Sequence, residues 1–198
     1  MIPKNLHFVH FGSLDAPSER CRKTALKHHQ DWEIFYWNEN NIADLGLDYN
    51  ALMSDCQNFA SLSNIVRLHA LDKFGGVYLD SDVEVLKPFD TLLDLSAFCA
   101  LQDKIMFEKD VGRVCNAILG ASAGHPWIRW QIENEDALKT QDAAFGVYIA
   151  TRAPREGVTI LPTEFFYPFL HDSPAHERLA HQDSYAIHHW SGSWLPKK

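Results

Sequence analysis

The chain has 198 residues, 46% hydrophobic and 22% charged, enough to bury one substantial core and ordinary in composition. Eighteen basic against 26 acidic residues leave a net charge of −8, the reverse of the balance needed to grip nucleic acid. No run approaches the ~18 apolar residues that span a bilayer, and the opening Met1-Ile2-Pro3-Lys4 is too short and polar for a secretory leader. These features predict a cytoplasmic protein with a single domain over residues 1–198.

In chain order, Leu6 to Phe11 is β-prone and ends at Gly12. Ser18 is placed to cap a helix towards His29, and Trp32 to Trp37 alternates as a second strand. Phe59 to Phe74 is a helix apolar on most of its circumference, stopped by Gly75-Gly76. Val77 to Val85 is a β run interrupted by Asp80-Ser81-Asp82 and ended by Pro88. Further strands are expected at Ala97–Leu101, Val114–Leu119, Thr159–Leu161 and Tyr185–His188, with a helix from about His125 to Leu138. Strands alternating with helices predict an α/β fold with a mixed, mostly parallel sheet flanked by helices. Cys21, Cys56, Cys99 and Cys115 are widely spaced without a CxxC pair, so they read as reduced, buried thiols.

The chemistry concentrates in three places. In extended chain, Tyr78, Asp80 and Asp82 share a face, and two carboxylates about 7 Å apart at the end of a buried strand need a compensating charge. Mn²⁺ or Mg²⁺ with oxygen ligands supplies it. An isolated Asp-x-Asp is more often an exposed turn; the apolar strand and double glycine tip the balance here. A haloacid-dehalogenase-type phosphatase also carries Asp-x-Asp after a strand, but it wants Thr or Val where this chain has Glu84. On the preceding helix, Ser63, Asn64 and Arg67 share one polar face, where a guanidinium could orient a diphosphate or a carboxylate. A solvated stripe is the plainer alternative. Last, His188-His189-Trp190-Ser191-Gly192-Ser193-Trp194 puts two imidazoles and two indoles in a tail, where docking onto the core would need the indoles alone.

These residues carry a family resemblance. From Ile2-Pro3-Lys4 through Trp37-Asn38, Phe59-Ala60, Ser63, Arg67, Gly75-Gly76, Tyr78 to Val83, Asn116-Ala117, Gly124-His125-Pro126, Phe166-Tyr167-Pro168 and His188 to Trp194, the chain resembles glycosyltransferase family 32. This is the DXD group that includes bacterial capsule and lipopolysaccharide enzymes. More distantly it is similar to the catalytic domains of clostridial glucosylating toxins. The resemblance implies a GT-A, Rossmann-like fold and a retaining transfer from a UDP- or GDP-sugar to a saccharide or lipid-linked saccharide, with Mn²⁺ or Mg²⁺. It implies Asp82 as a metal ligand, Asp80 at the donor ribose or sugar as well as the metal, and His189 as the late ligand in a His-x-x-Gly spacing. Arg67 would bind the donor sugar and phosphate region, Val9 and His10 would line the base pocket, Asn116 would approach the donor sugar, and Phe11, Ser63, Asn64, Tyr78 and Ser81 would stand among the substrate-binding residues. Ser193 and Trp194 would close over the diphosphate. Asn64 stands where the family usually has Asp, and His10 where it often has Trp.

Two rivals share that pocket: a nucleotide-sugar hydrolase, and a non-catalytic nucleotide-sugar binding module. The basic helix with Arg20, Arg22, Lys23 and Lys27 raises a lesser expectation of peripheral membrane contact, against the plainer reading of a solvated face. The short chain raises that of a second subunit completing the cleft.

Overall fold

In β1 (Asn5–Val9) alternate side chains part company: Leu6 and Phe8 enter one apolar layer, while His7 and Val9 face the other. This is a computed structural model, and it describes residues 1–107, 111–140, 145–170, 172–174, 176 and 178–191. Parallel to β1 run β2 (Glu33–Trp37) on one side and β3 (Gly76–Leu79) on the other. Beyond β3 lie β6 (Val111–Ala121), antiparallel to it, then β5 (Ala97–Phe107) and β7 (Val158–Leu161). The sheet order is thus β2-β1-β3-β6-β5-β7, with β6 the one reversed strand of the six.

Helix α1 (Ala16–His28) covers one face of the sheet. Asp15 caps it, accepting the Ser18 N–H at 2.8 Å. The cap therefore lies three residues before the expected Ser18, because Pro17 in the first turn donates no N–H and fits there without loss. Thr24 Oγ1 accepts the Val85 N–H at 2.8 Å and ties α1 to β4 (Val83–Val85). A second, two-stranded sheet pairs β4 antiparallel with β8 (Ala186–His188), setting Val83 opposite His188. That pairing carries the C-terminal segment back to the end of β3.

The other face is covered by α3 (Phe59–Phe74), whose bounds agree with the apolar run in the sequence. Asn58 caps its start by accepting the Ser61 N–H at 2.9 Å, and the Gly75 N–H closes its end on Leu71 O. Gly76 has φ +119°, and a Cβ there would lie 2.4 Å from Asn5 O, so the chain can enter β3 beside β1 only as glycine. The expected helix from His125 divides into α4 (Pro126–Glu133) and α5 (Asp136–Thr140), because Asn134 caps α4 and turns its amide back to Trp130 O. Two helices have no counterpart in the sequence reading: α2 (Tyr49–Asp55), which buries little beyond Leu52, and α6 (Phe145–Arg152). All four cysteines are free and buried. Among the described residues no helix is long and apolar enough to cross a membrane.

Candidate active site

The carboxylates sit where the sheet lets go of the chain. Asp80 follows β3, its N–H still bonded to Ala117 O on β6, and the turn through Ser81 and Asp82 leads into β4. Ligand atoms of Asp80, Asp82 and His188 all lie within 4.8 Å of one another. Strand β8 is what delivers His188, by pairing across from Val83.

The expected late ligand, His189, is elsewhere. Neighbouring residues of a strand point to opposite faces, so with His188 turned inward His189 turns outward, its Nε2 2.9 Å from Glu84 Oε2 and its side chain 43% exposed. The structure brings His188, and not His189, together with Asp80 and Asp82.

Each carboxylate is held from behind. Asp80 Oδ1 accepts from the Tyr78 hydroxyl at 2.6 Å and lies 3.1 Å from an Arg67 nitrogen, while Oδ2 has no partner among the described residues. Arg67 is itself locked: Nε donates to Ser63 O at 3.1 Å, Nη1 to Asn116 O at 2.6 Å, and the guanidinium lies 4.3 Å over the Tyr78 ring. Burial keeps the Tyr78 phenol well above its ordinary pKa, so it remains a donor. Tyr78, expected against the substrate, is wholly buried and serves Asp80 instead.

Asp82 Oδ2 accepts the Ser191 N–H at 2.7 Å, and Oδ1 lies 3.2 Å from His188 Nε2. Burial alone would raise the Asp82 pKa, but the hydrogen bond and charge of His188, with the Ser191 amide, outweigh it and hold the group well below the usual carboxylate range. In the same way burial pulls His188 down, yet the bond to Asp82 and its charge lift it to about 10. Trp190 makes the last bond geometry available. Its φ of 55° is unusual for a bulky residue and turns the chain so that the Ser191 amide faces Asp82. Its ring packs 4.2 Å from that of His188, and its Nε1 donates to Phe169 O.

Of the remaining expected residues, Asn64 and Asn116 meet each other, Asn116 Nδ2 donating to Asn64 Oδ1 at 2.9 Å. Gly146 of α6 lies so close that a Cβ would stand 2.2 Å from Asn116 Nδ2. Val9, His10 and Ser81 line a cleft of about 300 Å³ between the ends of β1 and β2 and the start of α1. Arg22, Asn38, Glu39 and Asn40 line it too, brought there by α1 and the turn after β2. Phe11 does not join them. It is buried between Tyr49 and Phe59, ring centroids 5.8 and 5.7 Å away, in the same apolar layer as Val9 two residues before it. Ser193 and Trp194 lie outside the described residues.

Two carboxylates and an imidazole, with one carboxylate oxygen unengaged, form a donor set that could hold a divalent cation. Arg67 beside Asp80 and a protonated His188 beside Asp82 supply the positive charge that two converging carboxylates require.

The fold is that of GT-A glycosyltransferases. The galactosyltransferase LgtC, solved with donor and acceptor sugar analogs, superposes with a TM-score of 0.58 over 98% of this chain and 90% of its own, at 15% identity. Residues 17–99 match the family described as the glycosyltransferase sugar-binding region containing DXD motif, a span that includes Asp80-Ser81-Asp82. Over 139 residues the chain is 24% identical to inositol phosphoceramide mannosyltransferase 3 of Schizosaccharomyces pombe, covering 67% of this chain and 37% of that protein. Over 149 residues it is 29% identical to glucan organizing enzyme 1 of Cryptococcus neoformans var. grubii, covering 68% and 41%. The chain thus spans well under half the length of these two relatives. Together the family match and the fungal relatives support a place among the DXD glycosyltransferases.

Proposed function

We propose that the chain transfers a sugar from a UDP- or GDP-sugar to a hydroxyl of a glycan or lipid-linked saccharide, with retention at the anomeric carbon, in surface polysaccharide synthesis. The observation that carries this is the convergence of Asp80, Asp82 and His188 at the end of β3, beside a cleft of nucleoside size. Those three side chains would hold Mn²⁺ or Mg²⁺, which when bound supplies Lewis-acid neutralisation of charge growing on the departing diphosphate. The chain's own part is to fix the holders. Arg67 and Tyr78 set Asp80 in one orientation, and the Ser191 amide sets Asp82. Val9, His10 and Ser81 receive the nucleoside, leaving the sugar at the metal edge. A same-face displacement needs no protein nucleophile. The bond from the anomeric carbon to phosphate breaks as the acceptor oxygen bonds to that carbon, and the acceptor proton passes to the departing phosphate.

Asp82→Ala is expected to lower metal-dependent transfer by at least ~10²-fold, the scale of losing a main transition-state electrostatic contact. Unchanged transfer in that variant refutes the assignment. Measuring free sugar alongside glycosylated acceptor separates transfer from hydrolysis of the donor.

A further inference from the structure

We infer that the cleft beside Ser81 selects a guanine base, with Arg22 and Glu39 as the residues that read it; the inference rests on the nucleotide-sugar reading proposed above. Arg22 reaches the cleft from α1 and Glu39 from the turn after β2. The guanidinium is fixed without being consumed. It lies 5.3 Å over the Tyr36 ring, which stacks in turn on Phe8 at 5.6 Å. Its Nε is buried without a hydrogen-bond partner among the described residues. Glu39 is exposed, and among the described residues these two opposite charges form no ion pair although they line one cleft. His10, at the same cleft, has a buried Nε2 that also lacks a partner among the described residues.

The two readers differ in what they accept. A guanidinium fork wants two adjacent acceptors, and a carboxylate wants two adjacent donors. Guanine offers both sets on neighbouring edges: O6 and N7 as acceptors, N1–H and the 2-amino group as donors. Uracil presents acceptor, donor, acceptor in alternation. It gives the fork a single oxygen and puts carbonyls on either side of the one N–H that Glu39 would take. Adenine opposes the fork with its 6-amino donor and gives a carboxylate no N1–H. The arrangement therefore favours GDP-linked over UDP-linked donors.

Calorimetric titration of the whole chain with GDP, UDP and inosine diphosphate, each with Mn²⁺, tests this directly. GDP is expected to bind at least about tenfold tighter than UDP, and inosine diphosphate, which lacks the 2-amino group, about tenfold weaker than GDP. Glu39→Gln should close most of the gap between GDP and inosine diphosphate. Arg22→Gln should draw the GDP-over-UDP ratio towards unity, with Arg22→Lys, which keeps the charge and loses the fork, in between. Glu39 is exposed, so its variant keeps the fold and thermal unfolding will verify that. UDP binding as tightly as GDP, or a gap to inosine diphosphate that survives Glu39→Gln, overturns the base assignment and leaves the donor reading standing. Binding of none of the three nucleotides overturns both.

Discussion

His7 lies in β1 among Phe35, Trp37 and Phe74, and His188 lies in β8 against Asp82; both are almost without solvent exposure, at 0% and 8%. The first is neutral. Burial drives its pKa down to about 4, and each ring nitrogen has a neutral partner: Nε2–H donates to Gly75 O and Nδ1 accepts from Trp37 Nε1. The second stays charged because a carboxylate stands 3.2 Å away. His29, at the C-cap of α1, repeats the first pattern, with Nδ1–H on Ala25 O and Nε2 accepting from Phe89 N. The scaffold satisfies its buried imidazoles with backbone and indole groups. The seam between β3, β4 and β8 instead accumulates ionic groups, and a seam of that kind is where a divalent cation could replace a protonated side chain.

The sharpest way to break this contrast is to remove His188. His188→Ala leaves Asp82 largely buried without its cation and is expected to cost about 3 kcal/mol in the ion-free protein, with Mn²⁺ affinity lowered by more than about tenfold; denaturant unfolding and calorimetry check the two. An acid titration addresses the scaffold. Because the folded pKa of His7 lies below its unfolded value near 6.5, protons bind the unfolded chain first as pH falls. Stability present above pH 6.5 is then lost progressively towards pH 4, by up to about 3 kcal/mol from this group. His7→Phe should flatten that part of the pH profile, measured by urea unfolding between pH 7 and pH 4.5. Gly146→Ala should cost about 1–3 kcal/mol, because the new methyl must part the Asn64–Asn116 pair. His189→Ala, at an exposed pair with Glu84, should change stability by no more than about 0.5 kcal/mol and Mn²⁺ affinity by less than about twofold. An effect on metal binding as large as that of His188→Ala would erase the distinction between the two histidines.

Much of this could be read from residue order because the signals were local. The apolar circumference of α3, its stop at Gly75-Gly76 and the Asp-x-Asp after β3 are each written in a few consecutive residues. What stayed hidden depends on pairing between distant segments. The choice of His188 over His189 follows from the register of β8 on β4, and spacing to Gly192 pointed the other way. Tyr78 and Arg67 share the task of holding Asp80, which appears only when α3 is laid against β3. The resemblance puts Phe11 among the substrate-binding residues, but its ring lies in the core between Tyr49 and Phe59. Arg22 read as one charge of a solvated basic helix, and its stacking on Tyr36 needed the packing of α1 over β2 to become visible.

Anomalous diffraction from crystals grown with Mn²⁺ and GDP tests the central claim most directly. A manganese peak in contact with Asp80, Asp82 and a ring nitrogen of His188, with diphosphate oxygens completing its shell, is the predicted result. A peak between Glu84 and His189, or none at the end of β3, would contradict it.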